Sequence, residues 1–353
     1  MGTLLLFGIP HNHMVKNKKK ILTISLLALC IFMISCGLFF YLELSSFVKK
    51  PASPDAAEKV FTIKPGQGLA VIAKNLEKES IVSNKTYFKL FTKFKKAGKK
   101  LQAGEYILSA AKSPEQILTI LMKGKVKLYR ITIPEGLNIK ETAALVEKTN
   151  IGTKKKFMTL CYNKSFISSL GIKAISLEGY LFPDTYFFPR HTSCENIITT
   201  MIGHFNIIFT EQWKIRAKNM GFSVHDIVTL ASIIEKETGD AKERPLISSV
   251  FHNRLEKNMR LESDPTVIYG IKNFDGNIKR KHLKMVTPYN TYQIKGLPLG
   301  PIANPGALSL QAALYPVKSK YLFFVSKKDT THKFSKTIRE HNQAVKKYQL
   351  RKK

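Results

Sequence analysis

The sequence predicts an α+β protein with an N-terminal transmembrane helix, a small subdomain and a larger domain. Three observations support this architecture. An apolar run from Ile21 to Leu42 carries no charged residue. Strand-like and helical patterns then mix without regular βαβ alternation, which favours α+β. The length of 353 residues is enough for two folded units.

The apolar run is long enough to cross a membrane once. As a helix, its 22 residues span a hydrocarbon core of roughly 30 Å. A lysine cluster at residues 16–20 precedes it, so the positive-inside bias places the N-terminus in the cytoplasm and the rest of the chain outside. A cleaved signal peptide would have a shorter apolar core and a small-residue cleavage site. We therefore predict a cytoplasmic basic tail over residues 1–20 and a retained transmembrane helix over residues 21–43.

Two further features of the N-terminus bear on this interpretation. Ser35-Cys36 faintly resembles a lipoprotein cleavage site, but Met33 is a poor residue three places before the cysteine. Met14 directly precedes the lysine cluster and the apolar run, which is an economical start for a membrane protein. We expect translation to start at Met14 and residues 1–13 to have no structural role, although the sequence does not decide between Met1 and Met14.

The net charge of +32 fits either an anionic partner or a lysine-biased composition on solvated faces, and we favour the second for most of the excess. Only nine of the 57 basic residues are arginine, and arginine supplies the bidentate fork for phosphates and base edges. The lysines are also spread over nearly every segment, and the predicted topology keeps most of the chain away from cytoplasmic nucleic acid. We therefore expect no nucleic-acid partner. The four cysteines match neither a disulfide framework nor a metal site, and we expect no cofactor and no metal.

The small subdomain is predicted over residues 59–127, after a polar linker at residues 44–58. Its pattern is a strand at residues 60–63, helices from Leu69 and over residues 84–96, and a strand at residues 106–108. This order resembles a LysM module, a small glycan-binding unit of wall enzymes, through the segment Phe61 to Gly66 and the apolar positions after it. Whether the subdomain binds glycan or is purely structural stays open.

The larger domain is predicted over residues 128–347. The segment Ile131 to Gly136 repeats the pattern of Phe61 to Gly66 and also leads into a helical stretch. Ser223 and Asp226 form the pattern of a capping box, which predicts a helix from Ser223 to Gly239. The remaining elements are predicted as a helix at residues 242–257, a loop-rich region from 263 to 306, a strand at 321–325 and a basic helix at 334–350.

Two glutamates in the segment Ala231 to Gly239 are candidates for acid–base chemistry. Positions 235 and 237 of a helix differ by about 200°, so Glu235 and Glu237 cannot face each other. Periodicity barely separates them. Glu237 lies nearer the negative end of the helix dipole, which raises a carboxyl pKa as a general acid requires. Taken alone, the pattern fits two surface glutamates of a lysine-rich protein better than an acid–base site.

Loops downstream combine tyrosines, hydroxyls and amides, the mixture that a sugar-binding groove needs. Proline and glycine in the same loops also serve plain turns, so a groove is one of two interpretations. With Asn253 on the preceding helix, the candidate substrate-binding residues are Asn253, Ser263, Asp264, Thr266, Tyr269, Tyr289, Asn290, Thr291 and Tyr292.

Several ordered motifs closely resemble the MltG (YceG-like) family of endolytic peptidoglycan transglycosylases. One departure is Leu299, where the family usually has a second proline. We expect it to alter loop stiffness more than chemistry. The motifs are Glu178 to Tyr186, Ala231 to Tyr269, Tyr289 to Tyr292, Gly296 to Pro298, Ile302 to Gly306, Tyr321 to Val325 and His341-Asn342.

The resemblance implies a bitopic protein of the bacterial inner membrane whose catalytic residue is Glu237. It implies that Glu237 protonates the glycosidic oxygen on C1 of N-acetylmuramic acid and then takes a proton from the 6-hydroxyl of that sugar, which closes a 1,6-anhydro ring. Such an enzyme would cleave the MurNAc-GlcNAc β-1,4 bond of nascent strands and limit their length. Its partners would be glycan strands, the membrane and wall-synthesis enzymes.

Two alternatives remain at this stage. In a hydrolytic muramidase, Asp264 would activate a water opposite Glu237, and the product would be a free reducing end. In a membrane-tethered wall-binding scaffold, Glu237 would be dispensable and residues 60–110 would not. The sequence does not indicate chain-length preference, the identity of protein partners or oligomeric state.

Overall fold

The structure is a computed structural model that describes residues 11–350, with side chains from Lys20 onward. The chain divides into two compact units between Lys127 and Leu128. The basic tail predicted at residues 1–20 is described only from His11, where the first helix begins, and residues 1–10 lie outside the described part.

Helix α1 (His11–Lys49) contains the apolar run. Its side chains from Ile21 to Leu42 are exposed all around the helix, and it is the one helix among the described residues that is long and apolar enough to cross a membrane. The helix also continues through the first part of the predicted linker, so the coil prediction for residues 44–49 is wrong. Leu44, Phe47 and Val48 recur at helical spacing and pack against the core of the small unit, which extends the helix.

The small unit contains the predicted order of strand, helix, helix and strand. Its two strands are antiparallel, and Phe61 lies opposite Tyr106, with both side chains buried. A third short helix, α4, follows the second strand and begins at a capping box of Ser113 and Gln116. The likeness to a LysM module stays a prediction. The elements are β1 (Lys59–Ile63), α2 (Leu69–Lys78), α3 (Lys85–Phe94), β2 (Gly104–Leu108) and α4 (Pro114–Met122).

The larger unit is mainly helical, with two antiparallel strand pairs among its described residues. Together with the small unit it confirms the predicted mixture of helices and antiparallel strands. Its first elements are β3 (Leu128–Thr132), α5 (Ile139–Lys148), α6 (Lys154–Cys161), α7 (Lys164–Ser169), β4 (Thr185–Pro189), α8 (Cys194–Ile208) and α9 (Glu211–Asn219). The later elements are α10 (Val224–Glu237), α11 (Arg244–Glu256), α12 (Asp264–Tyr269), α13 (Arg280–Leu283), α14 (Ala307–Leu314), β5 (Phe323–Ser326), β6 (His332–Ser335), α15 (Ile338–Val345) and a π-helical turn (Lys346–Leu350).

Two sequence predictions for this unit are corrected. The region from 263 to 306 is not wholly loop, because α12 and α13 lie within it. The terminal helix does not begin at residue 334, because Phe334 pairs with Phe324 in the β5–β6 hairpin. The helix begins only at Ile338, where the Thr337 side chain accepts a hydrogen bond from the Glu340 amide.

Helix α10 is central to the core of the larger unit. All eight residues from Ile227 to Ile234 are buried, and the helix packs against α14, α11 and α12. Its N-terminus has the predicted capping box, in which the Ser223 hydroxyl accepts from the Asp226 amide and the Asp226 carboxylate accepts from the Ser223 amide. Because the helix is buried and capped, its C-terminal turn, which carries both candidate glutamates, is held in a fixed position.

Candidate active site

Glu235 points into the protein and forms part of its structure. One carboxylate oxygen accepts a hydrogen bond from Arg244 at 2.9 Å and the other accepts from the Gly306 amide at 2.9 Å. The side chains of Glu235 and Arg244 are 5% and 7% exposed. Glu235 is therefore not a surface residue, and its contacts join the end of α10 to the start of α11 and of α14.

Glu237 is the last residue of α10, and its carboxyl group lies beside the start of α12. The Ser263 hydroxyl donates a 2.5 Å hydrogen bond to its Oε1 atom. Burial raises the pKa of Glu237 to about 7, opposed by the Ser263 hydrogen bond, while the negative charge of Asp264 raises the pKa and Arg254 lowers it. A carboxyl group with this pKa holds a proton near neutral pH and can also release it, which is the property of a general acid–base.

Ser263 is held in position by two buried threonines. The Ser263 amide donates to the Thr291 hydroxyl at 3.0 Å, and the Thr266 hydroxyl donates to the Ser263 carbonyl at 2.7 Å. The two threonine hydroxyls are themselves 2.8 Å apart. Both threonines are fully buried. They orient the Ser263 hydroxyl toward Glu237, whereas direct contact with a substrate would require exposed atoms.

Asp264 and Tyr292 lie at the edge of the same site. The Tyr292 hydroxyl donates a 2.8 Å hydrogen bond to Oδ1 of Asp264. Asp264 is exposed and Tyr292 is partly buried. The structure therefore brings Ser263, Asp264 and Tyr292 of the sequence candidates to Glu237.

Two cavities meet at Glu237. The smaller has a volume of about 430 Å³ and the larger about 750 Å³. Glu237, Phe324 and Val325 line both, so strand β5 borders each of them. The other residues of the smaller cavity are Arg254, Leu261, Glu262, Asp264, Tyr292, His341 and Val345. Those of the larger cavity are Thr238, Gly239, Asp240, Ser326, Thr330 and His332.

Four of the predicted substrate-binding residues make contacts away from Glu237. Asn253 donates its amide hydrogens to the carbonyls of Ser319 and Tyr321. Asn290 is buried and donates to three carbonyls, of His282, Leu283 and Met285. The Tyr269 ring packs on Tyr289, with ring centroids 4.8 Å apart, and its hydroxyl donates to Glu178 at 2.9 Å. None of these four lines either cavity at Glu237.

Glu178 is a second buried carboxyl group with a raised pKa. Burial raises its pKa to about 7, while hydrogen bonds from Tyr269 and from the Ile139 amide lower it. The Glu178 side chain lies at the start of α5 and lines neither cavity at Glu237. Its contacts tie α5 to α12, so we interpret Glu178 as structural.

Sequence reasoning missed several residues of the cavities. Arg254 is nearly buried and donates to the carbonyls of Leu322, Arg260 and Leu261 and to Glu262. Phe324 and Val325 lie in a strand that the sequence predicted, but its position over Glu237 depends on long-range packing. His341 was noticed only as part of a family motif. No spacing rule links these residues to Glu237, since they lie 17 to 104 positions away in the chain.

Comparison with known proteins identifies the family. The model of the YceG-like family matches residues 61–347. A Bacillus subtilis protein named endolytic murein transglycosylase is 36% identical over 330 residues, covering 88% of this chain and 90% of that protein. The protein of the same name from Streptococcus pneumoniae is 30% identical over 296 residues, covering 75% of this chain and 53% of that longer protein. The chain belongs to the YceG-like family.

A solved structure agrees with this assignment. The crystal structure of a YceG-like protein from Listeria monocytogenes superposes with a TM-score of 0.57 at 34% sequence identity. The match covers 81% of this chain and 98% of that one. The resemblance between the sequence motifs and the YceG-like family is thereby confirmed. The relatives named endolytic murein transglycosylase are lytic transglycosylases, which are lyases.

Proposed function

We propose that this chain is an endolytic murein transglycosylase in which Glu237 is the catalytic acid and base. The observation that carries the proposal is a single carboxyl group, with a pKa raised to about 7, at the junction of two cavities large enough for sugars. The two relatives named endolytic murein transglycosylase support the substrate class. The bond cleaved would be the β-1,4 bond between N-acetylmuramic acid and N-acetylglucosamine.

The first step is protonation of the leaving oxygen. Because Oε1 of Glu237 accepts the Ser263 hydrogen bond, the other oxygen, Oε2, is available to carry the proton. Oε2 would donate this proton to the glycosidic oxygen as the bond to C1 of N-acetylmuramic acid breaks. The N-acetylglucosamine side then leaves with a neutral 4-hydroxyl group, and Glu237 becomes a carboxylate.

The second step closes a ring on the same sugar. The carboxylate of Glu237 would take the proton of the 6-hydroxyl group, whose oxygen bonds to C1 and forms 1,6-anhydro-N-acetylmuramic acid. Glu237 is protonated again, so one carboxyl group completes the cycle and no water is consumed. The separation of two carboxylates that distinguishes ordinary glycosidases has no role in this mechanism.

The positive charge that develops at C1 would be met by nearby polar groups. The Asp264 carboxylate lines the smaller cavity and is oriented by the Tyr292 hydroxyl. Negative charge close to an oxocarbenium-like centre stabilises it. We propose Asp264 for this electrostatic role and Ser263 for orienting Glu237.

The reducing ends of the products distinguish a transglycosylase from a hydrolytic muramidase. Full-length protein in detergent would be incubated with purified wall, and the released fragments weighed by mass spectrometry. Anhydro ends support the proposal. Free reducing ends, which are heavier by one water, would show instead that a water is activated, for which Asp264 is the candidate.

Helix α1 supports a proposal for the location of the enzyme. We propose that residues 21–43 cross the inner membrane once, with the lysine-rich side in the cytoplasm and the larger unit outside, where nascent strands lie. A reporter that is active only outside the cytoplasm, fused after residue 353, should be active. Activity of a cytoplasm-only reporter at the same position would contradict this orientation.

The small unit would bind the wall, as its likeness to a LysM module predicts. Deleting residues 59–127 from the full chain should weaken binding to isolated wall and leave some cleavage. If the deleted protein folds and matches the intact protein in both wall affinity and cleavage rate, the small unit is purely structural.

A further inference from the structure

One ring nitrogen of His332 is bound by a carboxylate, and the other is free to bind a ligand. His332 is the first residue of strand β6 and lines the larger cavity together with Glu237. Its Nδ1 atom lies 2.6 Å from Oε2 of Glu243. Its Nε2 atom has no hydrogen-bond partner among the described residues and is not enclosed by the protein. We propose that His332 is a substrate-binding residue whose Nε2 atom forms a hydrogen bond with a hydroxyl or acetamido group of the amino sugar in the larger cavity.

Glu243 and Phe324 hold the ring of His332 in a fixed orientation. The His332 amide donates to Oε1 of Glu243 at 2.9 Å, so both carboxylate oxygens contact the same residue. The Phe324 ring packs edge-on against the imidazole, with ring centroids 5.5 Å apart and an interplanar angle of 90°. A ring that is oriented in advance loses little conformational entropy when a ligand binds.

The position of Glu243 determines which part of the ring a ligand can reach. Glu243 covers the ring at Nδ1, and Glu243 itself does not line the larger cavity. The His332 side chain is only 10% exposed, although it lines that cavity. The exposed part of the ring, which includes Nε2, is therefore the part that a ligand in the larger cavity contacts.

The chemistry of the free nitrogen fits an amino sugar. An ionised carboxylate only accepts hydrogen bonds, so Nδ1 carries a hydrogen and donates to Glu243. Nε2 is then an acceptor in the neutral imidazole and a donor in the imidazolium. Sugar hydroxyl groups donate and accept, and an acetamido group offers an N–H and a carbonyl, so both charge states of the ring have a partner.

The larger cavity is also suitably placed and sized. Its volume of about 750 Å³ lies within the range of small-molecule sites. Glu237 lines it as well, so a glycan strand that is cleaved at Glu237 can place a neighbouring sugar against His332. A site that hydrogen-bonds a polar group discriminates strongly once that bond is lost, because the group is then left unpaired. We expect loss of the Nε2 atom to weaken strand binding by about tenfold.

The inference rests on the proposed function, and two substitutions of His332 separate substrate binding from a structural role. Full-length Glu237→Gln protein in detergent, which should bind without cleaving, is titrated with soluble uncross-linked glycan strands. Adding His332→Asn places an amide near the Nδ1 position, which keeps the contact with Glu243 but removes Nε2, and the Kd should rise about tenfold. Adding His332→Gln places an amide near the Nε2 position, and the Kd should stay within about threefold of the parent.

The order of the two Kd values decides between the roles. If His332 only ties strand β6 to the start of helix α11 through Glu243, the Asn variant should bind as well as the Gln variant or better. That result overturns the inference, as does a Kd for the Asn variant less than about threefold above that of the Gln variant. Thermal melts show whether each variant is folded.

A chemical modification replaces this comparison if either variant fails to fold. Diethylpyrocarbonate acylates accessible imidazole nitrogens, and peptide mapping by mass spectrometry locates the modified residues. Glycan strands added to Glu237→Gln protein should reduce the modification of His332 and leave that of the exposed His191 unchanged. Equal modification of His332 with and without strands, or no modification in either case, would overturn the inference.

Failure of the proposed function gives a different result. Folded Glu237→Gln protein that binds no glycan strand would contradict the proposed substrate, and the inference would fall with it. A Glu237→Gln protein that binds strands and still cleaves them would contradict only the catalytic assignment, and the Kd values would then be compared at low temperature, before cleavage proceeds. Strand binding that does not follow the expected order of the His332 variants contradicts the inference alone.

Discussion

The Ser263 hydroxyl and the Glu237 carboxyl group are joined by a 2.5 Å hydrogen bond across 26 positions of sequence. This contact assigns different roles to the two carboxyl oxygens, because Oε1 accepts from the protein and Oε2 remains for the substrate. It also opposes the effect of burial on the pKa of Glu237. The site therefore sets both where the proton is carried and at which pH it is released.

Glu237→Gln should abolish most of the cleavage activity. The amide keeps the shape of the side chain but has no proton to transfer, and general acid–base catalysis contributes roughly 10²–10⁴-fold to the rate. The variant should fold, because a neutral amide replaces a carboxyl group that burial already favours in its neutral form. Release of soluble fragments from purified wall, with thermal melts alongside, measures both. A folded variant with near-normal cleavage would contradict the catalytic assignment.

Glu235→Gln should lower the stability of the fold more than it lowers the cleavage rate. The substitution leaves Arg244 buried with only the partly exposed Glu135 carboxylate, at 3.3 Å, as counter-charge. Breaking a buried ion pair by removing one partner costs about 3–5 kcal/mol where the remaining charge is uncompensated, so we expect a smaller loss here. We expect a lower Tm and, below that Tm, most of the normal cleavage rate. The exposed Glu256→Gln change in helix α11 is the neutral control. Loss of cleavage in fully folded Glu235→Gln protein would show that this carboxylate takes part in catalysis.

The pH dependence of cleavage should respond in opposite directions to two neighbouring substitutions. The rate should fall as the pH rises through about 7, because Glu237 must be protonated to act as an acid. Ser263→Ala removes a hydrogen bond that lowers the pKa of Glu237, so the fall should move to higher pH. Asp264→Asn removes a negative charge that raises this pKa, so the fall should move to lower pH. Rates from pH 5 to 9 for all three proteins give the comparison, and shifts in the same direction would refute the proposed electrostatics.

Tyr269→Phe should destabilise the protein in a pH-dependent manner and leave substrate affinity nearly unchanged. The tyrosine hydroxyl lowers the pKa of buried Glu178, which burial raises to about 7, so its removal raises that pKa to a higher value. In the unfolded chain Glu178 has its ordinary pKa of 4.5. The cost of burying its charge is therefore absent below about pH 4.5 and grows up to about pH 7 in the unsubstituted protein. In the variant, whose folded-state pKa is higher, the cost continues to grow above pH 7. Denaturation at pH 5 and pH 9 should show the greater loss, of about 1–3 kcal/mol, at pH 9.

Tyr289→Phe is the matched control for Tyr269→Phe, because the Tyr289 ring contacts Tyr269 and its hydroxyl has no bond to Glu178. It should cost less stability at pH 9. A large rise in KM for folded Tyr269→Phe protein, with little change in stability, would restore the sequence-based prediction that Tyr269 contacts substrate.

The local signals of the sequence determined much of the fold. The start of helix α10 was predicted correctly because the Ser223–Asp226 capping box is a short-range pattern. The strands of the small unit were visible from apolar runs that end at turn residues. The terminal helix was predicted to begin too early, because the pairing of Phe334 with Phe324 depends on a hairpin and on long-range packing. Apolar spacing alone does not distinguish such a strand from the first turn of a helix.

The functional site was harder to predict from the sequence than the fold. Helical periodicity could not separate Glu235 from Glu237, because both adjoin buried positions of α10. The two glutamates differ in their hydrogen-bond donors, because Arg244 donates to Glu235 and Ser263 donates to Glu237. The packing of α11 and α12 determines where these donors lie. Asn290 and Tyr269 had the right residue types for sugar binding but are used for internal hydrogen bonds. Residue type indicates chemistry, whereas exposure decides whether a ligand can reach it.

The last prediction concerns the end of helix α1. Phe47 is buried in the core of the small unit, and its ring centroid lies 5.6 Å from that of Tyr87. Phe47→Ala should destabilise the small unit by about 3–5 kcal/mol, because it removes a large buried side chain and leaves a cavity. Phe39→Ala in the same helix should change stability little, since Phe39 is 67% exposed. Thermal melts of the full chain in detergent compare the two.

Two truncations extend this test, because they differ only in the segment that carries Phe47. Removing residues 1–43 keeps Leu44, Phe47 and Val48, and the remaining protein should be folded and no longer membrane-bound. Removing residues 1–49 takes away all three side chains that pack against the small unit, and its Tm should fall. Equal melting of the two truncated proteins would show that residues 44–49 act only as a connection to the membrane helix.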